Sequence, residues 1–449
     1  MHPGDLIDLE ITDINSSGEG VGRYQGKVIF VPDAVTGDRL QVRLTELKSK
    51  YARGKLHQLL TPSEYRIRPQ CIVADKCGGC QWQHISGEYQ RQLKRQQVIQ
   101  SLQRIGEFPD LDVEPVLYTP QTLNYRNKST YPLGRSSTGQ VQAGYYRHGS
   151  HKIVNLNQCP VQDLRLHPLL KEVKQDIYER GWSIYNEVNH QGKLRHLSLR
   201  IGSRTGEILL TLVTTSWQLN EVEEQARIWL ERYPQLVGVC LNLQCDRTNV
   251  IFGDQTRTIA GKPHLREIFA GVELHISSDT FFQVNTEAAE LLLETIASRL
   301  NLTGEEILVD AYCGIGTFSL PLAKKVKQVI GIEVSPTSIA KAKQNAAIAR
   351  INNISFYTGK VETCLSQLKI KPDLILLDPP RKGCAPEVIS TLLTLQPYQI
   401  IYISCKPATL ARDLKLICQS GIYRPTFVQP ADFFPQTTHV ECAVFLTKK

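Results

Sequence analysis

The sequence predicts an α/β protein in three parts: a small N-terminal β-barrel, a central α+β region and a C-terminal, mostly parallel α/β domain. Three observations carry this. The chain has 449 residues, too many for one ordinary hydrophobic core. Its first segment alternates apolar and polar residues between Gly-rich turns, the pattern of short strands. Past residue 270, short apolar runs alternate with helical segments, the rhythm of βα units. These changes of texture divide the chain at 1–65, 66–270 and 271–449.

Composition narrows the class. Lys and Arg total 52 against 44 Asp and Glu, a net charge of +8 that suits a polyanionic partner such as nucleic acid. No apolar run approaches the ~18 residues of a membrane span. The opening MHPGDLIDLE lacks the basic and apolar regions of a secretory signal, so a cytoplasmic protein is expected. In that reducing compartment the 12 cysteines are not expected to form a disulfide framework, and clustered ones point to metal binding or catalysis.

In the barrel segment, LIDLEI, KVIFV and RLQVRL supply strands, and SSGEGVG and TGD supply turns. It ends in KSKYARGK, where Lys48, Lys50, Arg53 and Lys55 surround Tyr51. That interleaving suits phosphate pairing with base stacking, or equally a solvated edge strand.

The central segment opens on CIVADKCGGC. Cys71-x5-Cys77-x2-Cys80, with Cys159 in LNQCPV far downstream, can satisfy tetrahedral zinc or an iron–sulfur cluster. A helix over GEYQRQLKRQQVIQSLQRIG follows, rich in Arg, Gln and Lys, and either faces solvent or bridges to the next domain. QVQAGYYRHGSHKIV and LRHLSLRIGSRTGEILLTLVT read as antiparallel hairpins, the second turning at residues 202–206. In NYRNKSTY, Asn124, Arg126 and Lys128 either hold phosphates or form a solvated tip.

In the C-terminal segment, NTEAAELLLETIASRL reads as a helix. The strands are EEILVDAYC, VIGIEVS, LILLDPP and QIIYISC, and HVECAVFL is expected to add an antiparallel strand after a loop. VDAYCGIGTFSLPLA places Gly314-x-Gly316 between a strand and a helix, where backbone can approach a ligand closely. Glu333 ends the next strand, where an acid accepts hydrogen bonds from ribose hydroxyls. Position 319 is Ser, so the third glycine of the dinucleotide fingerprint is missing. Asp378 ends the fourth strand and Cys405 the next, so both face the crevice at the strands' C-terminal ends. Glu441 is the one acid in its apolar run, and a buried acid needs a partner or a function. Individually, Cys405 also reads as a core thiol and Glu441 as an edge-strand acid.

The glycine loop, with Asp310 before it, looks like that of S-adenosylmethionine (SAM) methyltransferases. FFQVN, DAYCGIGTF, GIE, LDPPRKG, SCKPATLARDL and HVE occur in the order and near the spacings of the RNA 5-methyluridine (uracil-C5) methyltransferase family, which the chain resembles from Gln283 onward. The barrel resembles the TRAM domain, so the resemblance covers nearly the whole chain. It implies a SAM-dependent methyltransferase (Rossmann-like) domain, a [4Fe-4S] cluster on Cys71, Cys77, Cys80 and Cys159, and a monomer. It makes Cys405 the nucleophile and Glu441 the base, with Gln283, Tyr312, Gly314, Gly316, Glu333 and Asp378 lining the SAM and uracil pocket. Lys406 stands where some members have Asn, which bears on subfamily rather than chemistry. The implied partner is RNA, ribosomal in preference to transfer RNA because of the barrel. Rival readings are action on transfer RNA, methylation of an exocyclic amine suggested by the DPP motif, and a non-catalytic RNA-binding protein that keeps the SAM fold.

Overall fold

The computed structural model describes all residues, 1–449. Five strands, Leu6–Ile14, Gly20–Tyr24, Lys27–Val31, Arg39–Leu47 and Tyr51–Thr61, close into a barrel. Alternation does the sorting: Ile7, Leu9 and Ile11 turn inward to meet Ile29, Val31, Leu40 and Val42, and the residues between them face solvent. Gly54 is required by the closure, since a Cβ there would lie 2.2 Å from Val42 Cγ1. The basic stretch at the barrel's end is partly spent on the barrel itself. Arg53 pairs with Glu19 at 2.5 Å, Lys48 pairs with Glu46 at 2.9 Å, and Tyr51 packs edge-on against Phe30. Lys50 and Lys55 remain exposed.

The central region is built on a seven-stranded sheet running Gln255–Gly261, Leu236–Leu243, Ile208–Thr214, Leu194–Ile201, Lys128–Arg135, Val141–Tyr146, Ile153–Asn155. Both hairpins expected from the alternation are present. One pairing is parallel, between Ile208–Thr214 and Leu236–Leu243, with helix Val222–Arg232 as the crossover. Residue 270 lies in the turn of a further hairpin, His264–Phe269 with Val272–Ser277. Leu209 and Cys240 of the central sheet share a core with Leu265, Leu274 and Leu308, so this hairpin joins the two halves through continuous apolar packing.

The strands of the C-terminal sheet are β1 (Ile307–Ala311), β2 (Gln328–Glu333), β3 (Ile354–Thr358), β4 (Leu374–Leu377), β5 (Gln399–Ser404), β6 (Tyr423–Ala431) and β7 (Glu441–Lys448). Their order is β3-β2-β1-β4-β5-β7-β6. β1 to β5 are parallel, and β7 inserts antiparallel between β5 and β6. Strand β6 was not expected, because Pro425 and Pro430 argue against a strand. It is tolerated as an edge strand whose register slips between Pro425 and Phe427.

Helix α1 (Gly87–Ser101) is the bridge that its sequence left open. Its polar residues Gln90 and Lys94 are buried against the segment between β6 and β7. Lys94 Nζ donates to Asp432 Oδ1 at 2.5 Å and to the Phe434 carbonyl at 3.0 Å. Gln90 Nε2 donates to Gln436 Oε1 at 3.1 Å, and the Gln436 amide donates back to Gln90 Oε1 at 2.9 Å. No helix is long and apolar enough to cross a membrane. Replacing Lys94 by Ala leaves Asp432 as an unpaired buried acid. The expected result is a loss of about 3–5 kcal/mol, read from urea unfolding, with Lys94→Met/Asp432→Leu recovering most of it.

Candidate active site

The β5–β7 pairing sets the centre of the site. Its register runs from Gln399↔Thr447 to Ser404↔Cys442. Cys405 follows β5 directly and Glu441 opens β7, so the two residues stand at adjoining ends of paired strands, one step beyond the last pair. Cys405 is half-buried and Glu441 buried. Burial pushes the Glu441 carboxyl up to about 8, with Asp378 adding to the rise and Arg381 opposing it. Burial also raises the Cys405 thiol, as do Glu441 and Asp378, while the Arg381 guanidinium draws it down. Cys405, Glu441, Asp378 and Arg381 therefore act on one another within one crevice.

The loop holding Asp378 and Arg381 is anchored from below by Asp413, which is fully buried in helix α2 (Pro407–Cys418). Asp413 Oδ2 accepts from the Cys384 amide at 2.9 Å and from the Tyr402 hydroxyl at 2.6 Å; Oδ1 accepts from Arg412 Nε at 2.8 Å. Gly383 is needed there, with φ +81° and Asp413 Oδ2 2.4 Å from where its Cβ would stand.

Above Cys405 is a pocket of about 500 Å³ with walls from three parts of the chain. Ser16 comes from the barrel; Gln97 and Gln100 come from α1 and Arg104 from the turn after it; Arg381, Lys406 and His439 come from the C-terminal domain. Glu441 is not among the residues lining it.

The glycine loop sits on the other side of Asp378. Tyr312, with φ +85°, and Cys313 both donate their amides to the Ile332 carbonyl. That turns the chain so that the space where a Gly314 Cβ would stand has no atom within 4 Å. Glu333 Oε2 accepts from the Gly314 amide at 3.2 Å and Oε1 from the Ser335 amide at 2.9 Å, so its carboxylate is fixed at the end of β2. Asp310 is buried and bonded to the Ser319 hydroxyl, and burial pushes it up to about 7. Burial, and then Asp310, push Asp378 up to about 7 as well, so Asp378 couples the glycine loop to Cys405. The helix after the loop is short, Ser319–Ala323, which leaves loop backbone and the two acids as the recognition elements. Buried Gln283 approaches from the central side, its carbonyl accepting from Asn127 Nδ2 at 2.9 Å. The open space over Gly314 beside fixed acids fits a nucleoside-bearing ligand.

Cys71, Cys77, Cys80 and Cys159 line a separate cavity of about 250 Å³. Gly78 permits the loop, its amide bonding the Tyr146 carbonyl at 2.9 Å and a Cβ there meeting that same oxygen. No three His, Cys, Asp or Glu side chains stand close enough to hold one metal ion. Burial pushes Cys80 up to about 12 and also raises Cys77 and Cys159, so their thiolates need a cationic group to form. Four thiols spread around one cavity fit a multinuclear group better than one zinc ion, whose ~2.3 Å Zn–S bonds demand tight convergence.

Arg381 and His439 line both this cavity and the Cys405 pocket. Neither was singled out from the sequence. Arg381 had a signal, a cation three residues after Asp378 in LDPPRKG. Gln97, Gln100 and Arg104 had none, being about three hundred residues from Cys405 in the chain.

The comparisons with known proteins agree with this geometry. Residues 269–449 match the tRNA (uracil-5-)-methyltransferase family, and residues 2–57 match the TRAM domain. An uncharacterized RNA methyltransferase of Nostoc sp. is 62% identical over 99% of this chain and 97% of its own. One from Bacillus cereus is 38% identical over 100% of this chain and 98% of its own. The crystal structure of Pyrococcus abyssi tRNA (uracil-54, C5)-methyltransferase with S-adenosyl-L-homocysteine superposes with a TM-score of 0.79 at 27% identity, covering 98% of this chain and 99% of that one. The chain thus belongs with the SAM-dependent RNA methyltransferases, its residues 269–449 forming a tRNA (uracil-5-)-methyltransferase family domain and its N-terminus a TRAM domain.

Proposed function

We propose that this enzyme methylates carbon 5 of a uracil in RNA through a covalent adduct on Cys405, with Glu441 as the base. The observation that carries the reading is the nearness of Cys405 and Glu441 at the adjoining ends of β5 and β7, with Asp378 and Arg381 acting on both. Carbon 5 of uracil is a poor nucleophile until carbon 6 has accepted one. Cys405, its thiolate favoured by Arg381, forms a bond to carbon 6 and pushes the ring electrons into an enolate. Carbon 5 then takes the methyl group. Glu441 removes the hydrogen from carbon 5, the carbon 5–carbon 6 double bond reforms, and the Cys405 thiolate leaves. SAM supplies an electrophilic methyl group when bound; Gln283, Tyr312, Gly314, Gly316, Glu333 and Asp378 would hold it.

The target we assign is ribosomal RNA, supported by the barrel, whose Ser16 forms part of the pocket wall. Transfer RNA is the second reading, favoured by the whole-chain match to the Pyrococcus tRNA enzyme. Mapping 5-methyluridine in RNA from cells lacking this protein decides between them. We assign a [4Fe-4S] cluster to Cys71, Cys77, Cys80 and Cys159, with a structural or RNA-positioning role, and a monomeric enzyme.

Cys405→Ala is expected to abolish methyl transfer. Glu441→Gln is expected to slow turnover about 10²–10⁴-fold and to accumulate RNA that stays attached on a denaturing gel. An alanine variant with normal turnover would refute the covalent route. Because the Glu441 carboxyl sits near 8, it is protonated and inactive as a base at lower pH. Single-turnover release should rise as pH passes about 8, and Glu441→Gln should flatten that rise. Anaerobically purified protein should contain about four iron and four sulfide per chain, and Cys159→Ser should lose them and melt earlier. Stoichiometric zinc would overturn the cluster.

A further inference from the structure

Helix α1 does not end in an ordinary cap. Residues Leu102–Gly106 widen into a π-helical turn, a form enriched at functional sites. This turn is fastened to α2, the helix that begins two residues after Cys405. Leu102 and Gly106 are buried, a Cβ on Gly106 would come within 3.4 Å of the Ala411 carbonyl, and Glu107 pairs with Lys415 at 2.5 Å. On this rigid support Ile105 remains 42% exposed and stands at the wall of the Cys405 pocket. Single exposed aliphatic residues are ordinary on a protein surface. This one is held on the same framework as the nucleophile, beside a pocket that Arg104, Arg381 and Lys406 make basic and that no carboxylate lines.

A uracil cannot present carbon 6 to Cys405 while it is stacked, so the base must leave its stack to be modified. The gap it leaves favours an apolar filler, and proteins that unstack nucleic acid insert Ile, Leu, Phe or Met between bases. We propose that Ile105 is the wedge that occupies the place of the target uridine in the RNA stack, with Arg104 and Lys406 receiving the flanking phosphates. The inference rests on the RNA-uracil reading above and adds the element that stabilises the extruded base.

The test uses the full-length protein and a synthetic stem–loop of the mapped sequence, with 2-aminopurine beside the target uridine. A second RNA of the same sequence is linear and unpaired. Wild-type protein should raise the 2-aminopurine fluorescence of the stem–loop. Ile105→Ala should weaken that unstacking about tenfold or more, bind the linear RNA within about twofold of wild type, and be rescued by Ile105→Leu. An Ile105→Ala variant that unstacks the stem–loop normally overturns the wedge, as does one that loses both RNAs equally. A parallel stem–loop with 5-fluorouridine at the target separates the two claims. If wild type unstacks it in an Ile105-dependent way without forming an adduct, the wedge stands and the covalent reading falls.

Discussion

The arrangement of the site depends on a buried ion pair. Lys94 and Asp432 meet inside the molecule, where each charge alone would be strongly disfavoured by the loss of water. Such a pair adds little net stability over an apolar substitute, but it tolerates only one geometry. Together with the reciprocal Gln90–Gln436 bonds, it fixes residues 432–440 against α1. That segment holds Gln436 at a left-handed φ of +71°, then presents His439 to the pocket and leads directly into Glu441. The same helix lends Gln97 and Gln100 to the pocket wall. The base and one wall of the substrate pocket are therefore placed by one contact.

The crevice gathers carboxyl groups whose burial disfavours their charge. Asp310, Asp378 and Glu441 all sit above the usual carboxylate range, and burial is the first cause for each. Arg381 is the cation that opposes this at Cys405 and Glu441. A positively charged ligand arriving between the glycine loop and Asp378 would favour the ionised acids, just as a neutral one would not.

Much of this was legible in the sequence. The βα rhythm gave β1, β2, β4 and β5 because parallel strands buried on both faces read as near-continuous apolar runs, as in QIIYIS; β3, whose residues are half-buried or exposed, lacks such a run. Glu333 was legible as the acid ending the strand after the glycine loop; that its carboxylate accepts from the Gly314 amide was not. Three further things were hidden. Strand β6 carries two prolines that suit only an edge, and nothing local says which strands are edges. The burial of Lys94 and Gln90 ran against their polarity and required partners 338 and 346 residues away. The basic stretch around Tyr51 looked free for phosphate, but Glu19 and Glu46 come from elsewhere in the barrel to neutralise part of it. Local pattern reveals elements and their motifs; it does not reveal which polar side chains the tertiary fold will consume.

The distance in sequence between Lys94 and its partner also orders events in time. During synthesis the barrel and α1 emerge well before the acid that neutralises Lys94, which lies 338 residues later. At ordinary ribosome speeds that is a wait of roughly 20–70 s. Through that interval Lys94 lacks the carboxylate that pairs it in the folded chain, and the pocket above Cys405 lacks its C-terminal walls. The nascent chain can complete its barrel while its catalytic wall remains open, and that wall can lock only once Asp432 has left the ribosome.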